Sequence, residues 1–216
     1  MIKILIADDH PMIREGLKKT LRDEIDFKVV GEAKNGREVL SFVAENELSI
    51  VLMDLSMPEL SGLEVLKELR RHRPKLPVLI LSMHPEDRFG VRALRAGASG
   101  YLTKESAPLE LVNAIRRIIN GGKYITQSLA DKIADEIIID SNQPPHKTLS
   151  DREYQILYMI AQGKSIMEIS EALSLSLNTI HTYRTRLLEK MNMKSNAELT
   201  QYAIRNNLVE PTHPLA

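Results

Sequence analysis

Cysteine is absent from the 216 residues, and aromatic side chains make up only 4% of the chain. The lack of cysteine excludes disulfides and thiolate metal sites, and it fits a reducing compartment. The scarcity of aromatic residues removes the stacking platform that single-stranded RNA binding requires. Neither a disulfide framework nor an RNA-binding module is therefore expected.

Net charge and long apolar runs are also lacking. The 29 basic residues balance 29 acidic ones, so a nucleic-acid site must come from a local patch of charge. The N-terminal apolar run is interrupted by Lys3 and stopped by Asp8. It is too short for a signal peptide or a membrane span. The expected location is the cytoplasm, with no membrane as a partner.

What is present in the first part of the chain is an alternation of strand and helix periodicity. In PMIREGLKKTLRD, for example, Ile13, Leu17 and Leu21 recur at four-residue steps, as on one face of a helix. Consecutive βα units predict an α/β fold with a doubly wound, five-stranded parallel sheet. The five β-rich runs are IKILIA, FKVVGEA, SIVLMD, PVLILSM and SGYLTK.

The alternation stops at Gly121 and Gly122, which end a helical segment. A further helix is predicted over residues 126–139, and the polar stretch DSNQPPHK follows it as a linker. We therefore expect a first domain over 1–121, a linker containing a helix over 122–147, an all-α domain over 148–210 and a tail over 211–216.

Capping patterns divide the second domain into helices. Ser150, Ser165 and Ser195 are each followed three residues later by glutamate, which is the capping box of a helix N-terminus. Ser176 is expected to cap a further helix, LNTIHTYRTRLLEKM, and Gly163 lies where the first helix should end. Four short helices with tight turns are typical of a helix-turn-helix module.

Charged and hydroxyl side chains follow the predicted strands at their carboxyl ends. Asp8 and Asp9 end the first strand, Asp54 ends the third, Ser82 ends the fourth, and Lys104 follows the fifth. Ligands bind at this edge of an open parallel sheet. Each residue alone would be an ordinary turn, capping or surface residue. Together, three carboxylates predict a hard divalent cation such as Mg²⁺, with the lysine as partner of an anion.

The motifs ADDHP, LMDLSMPELSG, ILSMH and GYLTK occur in an order and spacing that resembles a response-regulator receiver domain. The resemblance covers residues 1 to about 120. It implies that Asp54 accepts a phosphoryl group. It further implies that Asp8 and Asp9 hold Mg²⁺, together with Asp54 and the backbone carbonyl of Ser56. A carboxylate is a competent nucleophile for this chemistry.

The same resemblance implies roles for three residues after the fourth and fifth strands. Ser82 would be the switch hydroxyl, Tyr101 the switch aromatic and Lys104 the partner of the phosphate. If Ser82 moves inward, it leaves space into which Tyr101 can turn. By residue type alone, Tyr101 would be a half-buried strand aromatic.

Residues 149–209 resemble the LuxR-type helix-turn-helix of the NarL/FixJ class, and within that class their sequence most resembles the GacA/UvrY-like subgroup. The resemblance implies that a helix over about residues 178–193 binds DNA. The alternative is that its cations form a solvated helix face. The residues that it implies at base edges are His181, Thr182 and Thr185. Those that it implies nearer the phosphates are Arg184, Arg186 and Lys190.

These observations predict a phosphorylation-switched transcription regulator rather than a turnover enzyme. A sensor histidine kinase would donate the phosphoryl group, and a homodimer would bind paired half-sites in double-stranded promoter DNA. A magnesium-dependent aspartyl-phosphate phosphatase is an alternative, but it needs a second aspartate where Ser56 stands. A nucleotide-binding enzyme would need a phosphate loop, whose spacing the chain lacks. A stand-alone interaction module would take up no phosphoryl group.

Overall fold

The computed structural model describes residues 1–138 and 144–209. The chain divides into two compact units, Met1–Ile138 and Ile139–Ala216. The tail expected over 211–216 and residues 139–143 of the expected linker lie outside the described residues.

The described part of the N-terminal unit is a five-stranded parallel sheet with strand order β2-β1-β3-β4-β5, which confirms the predicted fold. Its strands are β1 (Ile2–Ala7), β2 (Phe27–Ala33), β3 (Ile50–Asp54), β4 (Val78–Ser82) and β5 (Gly100–Thr103). Its helices are α1 (Pro11–Leu21), α2 (Gly36–Glu45), α3 (Gly62–His72), α4 (Glu86–Arg95), α5 (Ala107–Ile119) and α6 (Gln127–Ile138).

The apolar sequences of β3 and β4 fit a parallel sheet that is covered on both faces. Every residue of β3 and β4 is buried, which matches their nearly continuous apolar sequences. The register pairs Ala7 with Met53 and Asp54 with Leu81. The carboxyl ends of β1, β3 and β4 therefore lie level with one another, at one edge of the sheet.

Helix α6 packs on α4 and so belongs to the N-terminal unit. Leu129 is fully buried, and a Cβ at Gly90 of α4 would lie only 2.8 Å from its side chain. The Nζ of Lys132 donates to the carbonyl oxygen of Asp87 at 2.9 Å. Ahead of the helix, Tyr124 forms one parallel bridge beside β5. The stretch between Gly122 and α6 is thus fastened to the sheet edge.

The described part of the C-terminal unit contains four helices, as predicted. They are α7 (Asp151–Ala161), α8 (Ile166–Ala172), α9 (Leu177–Met191) and α10 (Asn196–Arg205), preceded by a 3₁₀ turn over Pro145–Thr148. Helix α7 contacts the three others, and α8 contacts α9. No helix within the described ranges is both long enough and apolar enough to cross a lipid bilayer.

Two of the three predicted capping boxes form in full. At Ser150 and Ser165, the serine and the following glutamate exchange both hydrogen bonds. At the third, Ser195 accepts from the backbone N–H of Glu198, but that glutamate accepts from the backbone N–H of Lys194 instead of that of the serine. The reciprocal half of this predicted box is therefore wrong.

The other predicted helix boundaries also appear. Ser176 caps α9 by accepting from the backbone N–H of Thr179 at 3.1 Å. Gly163 follows α7 with a φ of 83°, a backbone conformation that suits glycine.

Candidate functional site

Three charged side chains meet at the carboxyl edge of the sheet. The Nζ of Lys104 lies 2.7 Å from Oδ2 of Asp8 and 2.9 Å from Oδ2 of Asp54. All three side chains are buried. Asp8 follows β1, Asp54 ends β3 and Lys104 follows β5, so all three lie at the carboxyl ends of strands. The structure thus brings together residues that are distant in the chain, as the strand pattern predicted.

The electrostatics of this cluster determine the protonation of Asp54 and Lys104. Burial raises the pKa of Asp54 to about 6, with the charge of Asp8 adding to the rise and Lys104 opposing it. Burial also disfavours the charged form of Lys104, but the two carboxylates outweigh it and raise the pKa of the ammonium. Both Asp54 and Lys104 are therefore ionised near pH 7.

The donor set at this edge fits a hard divalent cation. Asp8, Asp9, His10 and Asp54 each offer a ligand atom, and these atoms lie within 4.8 Å of one another. Three carboxylates against one ammonium leave excess negative charge, which a cation with a preference for oxygen ligands would neutralise. Ser56 lies next to this set. The backbone of Ser56 hydrogen-bonds to the Asp54 carboxylate, and this bond lowers the pKa of Asp54.

His10 was not among the residues predicted for the site, although it follows the two aspartates directly in ADDHP. Its Nδ1 lies 2.8 Å from Oδ1 of Asp9 and 3.3 Å from Oδ1 of Asp8, and its side chain is 63% exposed. Because Mg²⁺ prefers oxygen ligands, the carboxylates are better suited than this imidazole to hold it.

Glycine at position 62 is required by the loop that follows Asp54. A Cβ there would lie 2.2 Å from the carbonyl oxygen of Asp54, well inside contact distance. The backbone N–H of Gly62 instead donates to the carbonyl of Leu55 at 2.9 Å. The start of α3 can therefore fold closely over the end of β3.

Ser82 and Tyr101 are both connected to His84, which was not predicted as a site residue. The Oγ of Ser82 accepts from the backbone N–H of His84 at 3.0 Å, and the Tyr101 hydroxyl donates to the carbonyl of His84 at 2.8 Å. The ring of His84 stacks on Phe89 at 4.6 Å. Tyr101 is fully buried, so the half-buried alternative is wrong.

The predicted DNA-binding helix α9 is amphipathic. Ile180, Leu187 and Met191 are buried in the C-terminal unit, and Leu188 is partly buried. Five of the six predicted contact residues are exposed, namely His181, Thr182, Thr185, Arg186 and Lys190, and Arg184 is partly buried. The buried apolar side of α9 thus determines which side chains face outward.

Two predicted cations on α9 are held by protein partners. The Nε of Arg184 donates to Oδ1 of Asn196 at 2.7 Å, which ties α9 to the start of α10. The Nζ of Lys190 lies 2.7 Å from Oε2 of Glu153, a carboxylate whose side chain is only 3% exposed. Both side chains therefore stabilise the packing of the unit in this structure.

The two threonines use their hydroxyl hydrogens within the helix. Thr182 donates to the carbonyl of Asn178 at 2.9 Å, and Thr185 donates to the carbonyl of His181 at 3.0 Å. Their oxygen lone pairs and methyl groups remain on the outer face.

The fold of each unit agrees with a family model that the chain matches. Residues 4–116 match the response regulator receiver domain, and residues 147–203 match the luxR family of bacterial regulatory proteins. The chain therefore belongs to the response regulators that join a receiver domain to a LuxR-type helix-turn-helix domain, and it is a phosphorylation-switched DNA-binding regulator.

Similar proteins span nearly the whole chain. Response regulator UvrY of Escherichia coli K12 is 39% identical over 209 residues, which cover 96% of each chain. Response regulator GacA of Pseudomonas aeruginosa is 39% identical over 215 residues, covering 97% of this chain and 99% of the relative.

Among solved structures, the chain is similar to RcsB from Salmonella enterica serovar Typhimurium bound to promoter rprA in the presence of phosphomimetic BeF₃⁻. The identity is 26%, the TM-score is 0.62, and the match covers 94% of this chain and 98% of RcsB. The expected family, its fold class and its general function are confirmed.

Proposed function

We propose that Asp54 is the phosphoacceptor and that a sensor histidine kinase is the donor. The observation that carries this proposal is the buried Asp54 carboxylate with the Lys104 ammonium 2.9 Å away. One carboxylate oxygen attacks the phosphorus of the kinase's phosphohistidine. The P–N bond breaks, the imidazole nitrogen leaves, and an acyl phosphate forms on Asp54. The ammonium of Lys104 neutralises charge on the transferred oxygens.

Mg²⁺ is proposed as the cofactor of this step. Asp8, Asp9 and Asp54 would hold it, together with the backbone carbonyl of Ser56. When bound, the ion supplies further positive charge to the phosphoryl oxygens. The chain accepts and slowly loses its own phosphoryl group in this proposal, and it turns over no external substrate.

Ser82 and Tyr101 form the proposed switch. The Ser82 hydroxyl is small and buried beside the acceptor edge, so it can donate a hydrogen bond to the new phosphoryl group. Such a movement changes its bond to His84, to which Tyr101 is also bound. The new charge then shifts a two-state equilibrium of the receiver domain.

The output is DNA binding by α9, with an active homodimer on paired half-sites of promoter DNA. His181, Thr182 and Thr185 lie on the exposed face and are proposed to approach base edges. Arg186 is also exposed and is proposed to bind a phosphate. Arg184 and Lys190 would contact phosphates only in part, because each also has a partner within the unit.

The phosphoacceptor is tested with acetyl phosphate and Mg²⁺, followed by mass measurement of the intact protein. The wild type should gain one acid-labile phosphoryl group, and Asp54→Asn should gain none. Asp23→Asn is the matched control, because Asp23 is an exposed aspartate of the same unit. If Asp54→Asn is phosphorylated as fully as the wild type, the assignment is wrong.

A further inference from the structure

Helix α9 carries one exposed side chain that can read a base and that no motif identified, Asn178. It is the second residue of the helix, immediately after Leu177. Its side chain is exposed and, within the described residues, forms no hydrogen bond or ion pair. It precedes His181 and Thr182 by three and four positions, so it lies on the same face of the helix as both.

Thr182 and Thr185, which share this face, can offer a base only their oxygen lone pairs and methyl groups. The hydroxyl hydrogens of Thr182 and Thr185 are already donated to helix carbonyls. Glu189 is exposed but carries a negative charge, which the phosphates of DNA repel. A carboxamide, in contrast, offers one donor and one acceptor side by side. That pair matches N7 and the N6 amino group of adenine in the major groove.

We infer that Asn178 is a specificity-determining residue that reads adenine in the major groove, and this inference rests on the proposed role of α9. The N-terminal part of the second helix of a helix-turn-helix is the part that reaches the base edges. Asn178 lies in the first turn of α9, with its amide free to turn toward a base. Its contribution is to sequence preference and not to general affinity, because the side chain is uncharged.

The test is selection of DNA from a random pool by the full-length protein with acetyl phosphate and Mg²⁺. The wild type, Asn178→Ala, Asn178→Arg and Gln201→Ala are compared. Gln201 is the matched control, an exposed carboxamide on α10 with no hydrogen bond among the described residues. Binding isotherms then give the affinities for the selected site and for random DNA.

Asn178→Ala should lose the preference for adenine at one position of each half-site. Its ratio of specific to random affinity should fall by about 5- to 150-fold, with unchanged affinity for random DNA. Asn178→Arg should prefer guanine at that position, since a guanidinium matches O6 and N7 of guanine. Gln201→Ala should behave as the wild type.

Two results would overturn the inference while leaving the proposed function intact. One is that Asn178→Ala and Asn178→Arg both select the same DNA sequence as the wild type, with the same base preference at every position. The other is an equal loss of specific and random affinity in Asn178→Ala. A wild-type protein that selects no site at all would overturn the proposed function together with this inference.

Discussion

At the scale of single residues, the balance of charge around Asp54 lowers the free energy of unfolding at neutral pH. The carboxylate is buried beside Asp8, and Lys104 compensates it only in part, so the pKa of Asp54 is raised from 3.8 to about 6. Folding therefore favours the protonated carboxyl. The stability that the protonated Asp54 carboxyl contributes is fully present below pH 3.8, and it is lost as the pH rises through about 6.

Asp54→Asn should accordingly stabilise the metal-free protein at neutral pH, because asparagine carries no charge into this position. The shift corresponds to a gain of about 3 kcal/mol in the free energy of unfolding near pH 7, which should disappear in acid below the ordinary pKa of aspartate. Urea unfolding at several pH values measures it, and added Mg²⁺ should narrow the difference by stabilising the wild type.

Asp23→Asn, which changes an exposed carboxylate, is the control and should leave the free energy of unfolding nearly constant. An Asp54→Asn protein that is less stable than the wild type throughout this pH range would contradict the prediction.

At the scale of an element, α9 carries two kinds of cation, one paired within the unit and one without a protein partner among the described residues. Both Lys190 and Arg186 are exposed, but Lys190 is paired with the buried Glu153, whereas Arg186 has no partner among the described residues. Burial opposes ionisation of Glu153, but the hydrogen bonds from Lys190 and Ser150 outweigh it and lower its pKa. This contribution to stability is present above the ordinary glutamate pKa of 4.5 and is lost as the pH falls through the lower folded value.

Lys190→Gln should therefore mainly lower stability, whereas Arg186→Gln should mainly change DNA binding. Lys190→Gln should cost about 1–2 kcal/mol of unfolding free energy at neutral pH, and the cost should shrink in acid as Glu153 becomes protonated. Arg186→Gln should change stability by less than about 0.5 kcal/mol, but it should reduce the salt dependence of DNA binding by about one phosphate contact. Thermal unfolding and binding isotherms at several salt concentrations measure both.

The two variants are controls for each other, since both remove one positive charge from the same helix. Equal stability of the two proteins at neutral pH would show that the Lys190–Glu153 pair contributes nothing.

At the scale of the whole molecule, the division into two units is expected to guide proteolysis. The N-terminal unit extends to Ile138, because Leu129 is buried against α4 and Tyr124 is bridged to the edge of the sheet. Cleavage at Gly121 and Gly122 would require release of this segment from the sheet. We therefore expect the protease to cut after α6, between the units.

Limited proteolysis with a protease of broad specificity, followed by mass spectrometry, checks this expectation. The N-terminal fragment should retain α6 and end near residues 138–147, and the C-terminal fragment should retain all four of its helices. An early fragment that ends at residues 121–122 would place α6 in the linker instead. A protein cut first inside α9 would contradict the division altogether.

The sequence by itself determined most of the fold and the principal acidic site. Strand and helix periods are local, because burial of one face imposes a repeat on the residues of that element alone. For this reason, two of the five strands, β1 and β2, begin and end at the predicted residues. The site followed from the same patterns. Once Asp8, Asp54 and Lys104 were placed at the ends of parallel strands, the sheet had to bring them to one edge.

Only the tertiary structure decided which partners the polar side chains have. Lys190 bonds to Glu153, which lies 37 positions earlier in the chain. His84 joins Ser82 to Tyr101, and Leu129 fills the space left by Gly90. No local repeat predicts such contacts. A long side chain can reach many partners, and the one it has depends on how the helices and strands pack around it, which is a property of the whole fold.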